Sequence, residues 1–370
     1  MASYRRAEMV TFGVPKEIKV GETRVSMTPT VCRRVTAMGA HVVIQKSAGQ
    51  FAGFTDAEYE AAGARVVSTA KRVFDQADLI LKVKEPLEPE YELLRDGQAL
   101  FTYLHLAACL PLARCLLRRN ILGIAYETVE SQDGSLPLLK PMSQIAGRLS
   151  VQIGAFFLQS QHGGSGVLLG GVPGTNPGRV TILGAGNSGA HACRIAVGMG
   201  AQVTLLDIDS RKLDFLDSEY QGRVVTLLAN PGNIEKAVAS ADLLIGAVLI
   251  PAAKAPVIVS ADMVRAMRPG SVIVDIAVDQ GGCIETISPT SVEKPTYKRS
   301  GVVHYAVPNM PALVGRTSTI ALTQATEPFV VAIAEKGLSR ALEEVRGLAK
   351  GINTMGGRAI HPQISNLLGT

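Results

Sequence analysis

The sequence predicts an α/β protein built from two doubly wound domains, and three observations carry that reading. Short apolar runs alternate with helix-like stretches along most of the chain, the pattern left by parallel strands joined through crossover helices. One of those runs enters a glycine-patterned turn, Gly184-Ala185-Gly186-Asn187-Ser188-Gly189, and leaves it through a helical segment. The chain has 370 residues, 47% of them hydrophobic, which exceeds one ordinary core and suffices for two.

In chain order, residues 10–14 read as a strand, 31–38 as a helix, 42–45 as a strand and 56–62 as a helix. Apolar runs at 79–83, 100–104 and 121–126 continue the alternation, and residues 141–159 form a long helix that connects the domains. Glycine-rich segments at 162–166 and 170–174 precede the strand that enters the turn at Gly184. Beyond the turn, 190–199 is a helix stopped by Gly200, and Gln202-Val203-Thr204-Leu205-Leu206 is a strand ending at Asp207. Runs at 224–228, 243–248 and 272–276 complete a second sheet that ends near Met310. Residues 317–348, rich in Ala, Leu, Val and Glu at helical spacing, are expected to return to the first domain. The first domain is then discontinuous, 1–137 with 316–370, and the second spans 138–315.

The glycines of the turn point to a dinucleotide in a Rossmann domain. Gly184 makes the tight turn, Gly186 lets backbone approach a pyrophosphate, and Gly189 lets the helix pack on the strand. The helix N-terminus offers unpaired N–H groups and partial positive charge to the phosphates. Asp207 lies 18 residues beyond Gly189, where a strand-end carboxylate accepts hydrogen bonds from the adenosine ribose hydroxyls. Its charge repels a 2′-phosphate, so NAD is favoured over NADP, with Arg211 and Lys212 as nearby cations that soften the preference.

Composition excludes other classes. The formal net charge of +5 is mild for this length, and Lys and Arg are scattered rather than interleaved with aromatics, so no nucleic-acid partner is expected. The apolar run at 243–250 is far short of a membrane span, and the polar start at 1–6 lacks the apolar region of a secretion signal. A cytoplasmic protein without a membrane partner is expected, with the residues before Val10 as a flexible leader. Cys32, Cys109, Cys115, Cys193 and Cys283 form no CxxC pair, which fits reduced thiols and no metal site.

If one domain holds NAD, a small-molecule substrate is gripped by groups from strand ends and loops. Arg24, after the first strand, offers a guanidinium to a carboxylate, or is a solvated surface residue. Lys84 stands at the end of an apolar strand as a candidate, with Lys82 on the same face, and either lysine is alternatively merely solvated. His105 follows Leu100-Phe101-Thr102-Tyr103-Leu104 and is either a satisfied core histidine or an acid/base group. Asp279 sits past a strand and before Gly281-Gly282, with Asp275 as the competing carboxylate.

These residues fall within ordered blocks that resemble the alanine dehydrogenase and transhydrogenase alpha-subunit family. The blocks are Gly13-Val14-Pro15-Lys16-Glu17, Leu81 to Pro86, Leu100 to Ala107, Ala125-Tyr126-Glu127-Thr128-Val129, Pro141-Met142-Ser143, Gly147-Arg148-Leu149, Gly170 to Gly174, Asp275 to Cys283 and Pro308-Asn309-Met310-Pro311. The resemblance covers residues 10–340 and implies an NAD-dependent L-alanine dehydrogenase, hexameric as is usual there, yielding pyruvate and ammonia. It implies that Arg24 and Lys84 hold the substrate, with Asn309 near substrate and nicotinamide, and that His105 and Asp279 are the catalytic pair. It also implies cofactor contacts from Met142, Ser143, Gly184, Gly186, Asn187, Ser188, Gly189, Asp207, Lys212, Val248, Leu249, Ile276, Asp279, Asn309 and Met310. The chain departs from the family pattern at 251–254, at Gln144 and at 315–320. Competing readings are a dehydrogenase of another small amino or 2-oxo acid, a transhydrogenase subunit, and a non-catalytic NAD-binding protein on the same scaffold.

Overall fold

The computed structural model describes residues 9–248 and 255–368. The segments 1–8 and 251–254 and the expected cofactor contact Leu249 lie outside the described residues. The chain divides into two compact units, Met1–Met142 with Ala312–Thr370, and Ser143–Pro311. Among the described residues no helix is long and apolar enough to cross a membrane.

The first unit contributes strands β1 (Thr11–Val14), β2 (His41–Gln45), β3 (Arg65–Val67), β4 (Leu79–Leu81), β5 (Ala99–Thr102) and β6 (Leu122–Ala125). The second contributes β7 (Arg179–Leu183), β8 (Gln202–Asp207), β9 (Val224–Leu228), β10 (Leu243–Gly246), β11 (Val272–Asp275), β12 (Thr296–Arg299) and β13 (Val302–Tyr305). The chain then returns to the first unit with β14 (Ile352–Met355) and β15 (Arg358–Ala359).

In the first unit the order is β15-β14-β6-β5-β4-β1-β2-β3, with β1 to β6 parallel and β14 and β15 antiparallel additions. In the second the order is β12-β13-β11-β10-β7-β8-β9, parallel except for the edge strand β12. Both sheets reverse their winding beside their first strand, between β1 and β4 and between β7 and β10. In open α/β sheets such switch points, at the carboxyl ends of the strands, are where ligands bind.

The central strands β4, β5, β10 and β11 are buried along their whole length, which is why they read as unbroken apolar runs. Alternation then sorts side chains between two layers. In the second unit Ile182, Leu205, Leu243 and Val272 face one core with Val151 and Leu158, while Leu183, Leu206, Leu244 and Ile273 face another with Val238 and Val264. The first unit packs Val43, Phe74, Ile80, Leu100, Leu112 and Leu116 together. Each such side chain, fully buried, contributes about 1.5–3 kcal/mol of transfer free energy.

Local signals fix the helix ends. Thr28 caps Pro29–Ala37, whose proline occupies the first turn, and Thr55 with Glu58 forms a capping box on Asp56–Ala61. Gly200, at φ +81°, terminates Asn187–Gly198. The long connecting helix is Lys140–Phe157. The helical tail consists of three helices, Gly315–Lys336, Leu338–Glu344 and Arg346–Lys350. Gly337, at φ +79°, breaks the first from the second. The hairpins β12–β13 and β14–β15 add strands that the apolar pattern does not reveal.

Candidate functional site

In the first unit the candidate residues stand at the carboxyl ends of β1, β4 and β5. The segment after β1 runs inward, so that Glu22, Arg24, Ser26 and Thr28 are all buried. Arg24 is therefore no surface residue. Glu22 grips it bidentately, accepting from Nε at 2.6 Å and from a terminal nitrogen at 2.5 Å, while the Met142 Sδ accepts from the other terminal nitrogen at 3.0 Å. Burial lowers the guanidinium pKa, but the bonds and charge of Glu22 outweigh it and the net shift is upward. Arg24 is a fixed cation with its plane set by Glu22. Met142, expected at the cofactor, lies against this guanidinium.

The two lysines at the end of β4 have different environments, and neither is solvated. Lys82 is consumed by a buried triad, with Nζ 3.0 Å from Glu17 and 2.8 Å from Glu90. Glu17 also accepts from the backbone N–H of Val83 at 2.6 Å, so the triad anchors the strand end. Burial lifts the Glu17 carboxyl above its ordinary range, with Lys82 pulling the other way. Lys84, 8% exposed, stands outside that triad, and its neighbour Glu85 pairs with Lys19.

Past β5, His105 takes a left-handed backbone with φ 46°. Such a conformation costs a non-glycine residue free energy and clusters at functional sites. Its imidazole is 42% exposed and stacks on Tyr103, the ring centroids 5.8 Å apart and the planes 8° from parallel. Tyr103 is itself pinned by donating its hydroxyl to the Leu138 carbonyl at 2.6 Å. Glu127, on the turn after β6, accepts from the His105 backbone N–H at 2.6 Å. Packing holds the imidazole pKa below its ordinary value; Glu127 opposes that shift and Lys84 reinforces it. The shift favours the neutral imidazole, the form that accepts a proton.

In the second unit the three glycines separate by geometry. Gly184 has φ +100°, and a Cβ there would meet the Ala247 carbonyl oxygen at 2.7 Å. A Cβ on Gly189 would run into the Gly184 carbonyl oxygen, so only glycine permits this helix its approach. Around Gly186 there is open space. Asn187 and Ser188 open the helix Asn187–Gly198, whose N-terminus has no side-chain cap. Gly147 on the connecting helix packs against the Ser188 carbonyl, with no room for a Cβ. Ser143 is half-buried on the same helix.

Asp207 ends β8, buried, and accepts from the Ala185 N–H at 2.6 Å and the Asp209 N–H at 2.8 Å. That fixes its carboxylate beside the glycine turn. Arg211 is drawn onto Asp209 by two bonds of 3.1 and 3.0 Å, and Lys212 sits 3.8 Å from Asp207. Both cations therefore face carboxylates. After β11, Asp275 caps the turn Ile276–Gln280 that carries Asp279, accepting from Ala277 N–H at 2.9 Å and Cys283 N–H at 2.8 Å. Burial pushes the Asp275 carboxyl up to about 6. Asp275 is thereby the structural carboxylate of the two, and Asp279 the exposed one. Asn309 also has a left-handed backbone, φ 57°, and Asp279 accepts from its N–H at 3.2 and 3.3 Å. Val248 follows β10, half-buried, and Met310 is buried in the core beside Asn309.

Two residues escaped the sequence reading, Glu22 and Glu127. Each is a carboxylate whose partner is another candidate residue; Glu127 lies within a quoted family block, but its target is 22 residues away.

A fingerprint turn, an uncapped helix N-terminus and an acid ending the next strand define the second unit as a dinucleotide-binding α/β unit. The chain belongs to the alanine dehydrogenase/PNT family: residues 13–146 match its N-terminal domain and 150–362 its C-terminal domain. An alanine dehydrogenase of Methanococcus maripaludis is 54% identical over 95% of each chain. That of Bacillus subtilis is 50% identical over 96% of this chain and 94% of its own. A solved L-alanine dehydrogenase superposes with a TM-score of 0.94 at 53% identity, covering 97% of this chain and 99% of its own. A transhydrogenase from Sinorhizobium meliloti, 22% identical over 95% of this chain and all of its own, shares the fold with a TM-score of 0.83.

Proposed function

We propose that the chain catalyses NAD-dependent oxidative deamination of L-alanine to pyruvate and ammonia, and the reverse reductive amination. The observation that carries the reading is the set Arg24, Lys84 and His105 at the strand ends of the first unit, in a chain about half identical to several alanine dehydrogenases. The transhydrogenase reading is less economical, because that relative shares 22% identity.

The second unit suits a dinucleotide. Open space at Gly186 and the N–H groups from Asn187 onward would take the pyrophosphate, and Asp207 the adenosine ribose. The engagement of Arg211 by Asp209 withdraws a cation from any 2′-phosphate, which supports NAD over NADP. When bound, NAD supplies the acceptor for the hydride that leaves the substrate Cα. Ser143, Val248, Ile276, Asn309 and Met310 are assigned to the same side of the reaction.

Arg24 pairs with the substrate carboxylate, and Lys84 with the carbonyl side, which fixes Cα for transfer. Hydride loss leaves an imine; water adds to its carbon, and the carbinolamine expels ammonia. His105 takes one proton from that water, returns it to the departing nitrogen, and takes the hydroxyl proton as the carbinolamine collapses to the carbonyl of pyruvate. Asp279, acceptor for Asn309, orients water or ammonia. Cytoplasmic residence and assembly into a homohexamer complete the reading, and cell fractionation and light scattering decide them.

The decisive test is reduced-nicotinamide absorbance on adding L-alanine, glycine, L-serine, or pyruvate with ammonia, each with NAD and with NADP. L-alanine with NAD should give the strongest signal. Absence of an alanine-dependent signal discards the substrate assignment, and faster turnover with another amino acid replaces it.

A further inference from the structure

We propose that Glu127 is a positioning residue for His105: its carboxylate, arriving from the turn after β6, fixes the left-handed backbone that aims the imidazole. The inference rests on the reading of His105 as the proton-transfer group. One oxygen of Glu127 accepts from both the His105 N–H at 2.6 Å and the Leu104 N–H at 3.2 Å, and the other accepts from Leu104 at 3.2 Å. Bonds to an ionised acceptor belong to the strong class, and here they converge on the one residue of the segment with positive φ, at 46°.

A different role is excluded by distance. The Glu127 oxygen is 3.9 Å from the His105 Nδ1, too long for the carboxylate–imidazole bond of a proton-relay pair. Glu127 acts through the main chain. With N–H groups of two successive residues held, the Cα–Cβ bond of His105 has a fixed direction, and the Tyr103 ring stacked on the imidazole restrains its rotation. Glu127 is 20% exposed in its side chain, so water was available to solvate it; it is turned onto the backbone instead. The charges Lys84, Lys19 and Glu85 also face His105 and leave the N–H bonds to Glu127.

The test compares E127A and E127Q in the full chain with NAD bound. Gln keeps one carbonyl oxygen, and both N–H bonds converge on one oxygen, so E127Q separates position from charge. E127A should lose about 100-fold in kcat, the scale set by misplacing a reacting group. The dissociation constant for NADH should stay within about twofold, since no assigned cofactor contact is touched. E127Q should recover to within about fivefold of the parent, neutral acceptors being roughly half as strong as charged ones. Equal losses in E127A and E127Q, or an undiminished E127A, would overturn the proposal.

Where E127A fails to fold, E127Q alone decides: retention of activity supports positioning and a 100-fold loss overturns it. A second readout is independent of alanine turnover. With ¹⁵N-histidine labelling, the six histidines give few backbone amide signals, and that of His105 should be downfield and slow to exchange in the parent and in E127Q. Unchanged position and exchange in E127A would overturn the proposal even if L-alanine proves the wrong substrate.

Discussion

The two units wind their sheets alike and equip the strand ends differently. Around β1 and around β7 the strand order and the switch point correspond, yet the carboxyl ends of the first unit present Arg24, Lys84 and His105, whereas the turn and first helical turn after β7 carry three glycines. Glycines suit a ligand that is already charged: they let backbone N–H groups reach a pyrophosphate. Fixed cations suit a small acid that must be held at one angle. The sheet supplies places, and the residues following each strand decide the chemistry.

That contrast can be broken at its most charged point first. Lys82→Ala leaves Glu17 and Glu90 buried without their cation and should cost about 3–5 kcal/mol of folding stability. Chemical denaturation checks this; a loss under about 1 kcal/mol would mean that the triad is no anchor. Lys84→Ala should raise KM for alanine, read from initial rates, which separates the two lysines by function. His105→Ala should lower kcat by about 10³-fold with NADH affinity retained, the range of a general base. A fully active variant would return His105 to a merely structural residue.

On the glycine side, Gly189→Val drives a side chain into the Gly184 carbonyl and should cost about 1–3 kcal/mol, together with NAD binding. Calorimetric titration with NADH reads the second part, and unaltered affinity contradicts the close-packing role. Asp207→Ala should reduce the NAD over NADP preference by about tenfold, one hydrogen-bonded charge's worth. The smallest effect is a pH dependence. Because the imidazole pKa is lowered, the base stays unprotonated down to below its ordinary value of 6.5, and kcat/KM should fall only on the acid side of that. An acid limb above 6.5 would assign the titration to another group.

The fold's centre was legible because buried parallel strands advertise themselves as apolar runs. β4, β5, β10 and β11 are buried throughout, and the notable turn at Gly184 follows the equally buried end of β7. The edges were not. β12 is half-buried at Thr296 and Tyr297 and exposed at Lys298 and Arg299, and β14 carries Asn353 and Thr354, whose partners are far along the chain. The signal present was the turn: Ser300-Gly301 and Gly356-Gly357, each pair at positive φ, are two-residue hairpin links. The site divides similarly. Arg24, Lys84 and His105 show themselves by standing at strand ends, but the carboxylates that orient them do not, because Glu22 and Glu127 look like any other acid until the backbone brings their partners close.

The late strand β14 also orders events during synthesis. It pairs with β6 across more than half the chain, with the Gly123 N–H donating to the Thr354 hydroxyl 231 residues away. A nascent chain therefore completes residues 143–311 as a foldable unit while the first sheet still shows β6 as a bare edge. Until 352–355 emerge, that edge is a template for a neighbouring chain on the same message. Slow translation of the last segment would then lower the yield of correctly closed protein, even though none of its residues belongs to the candidate site.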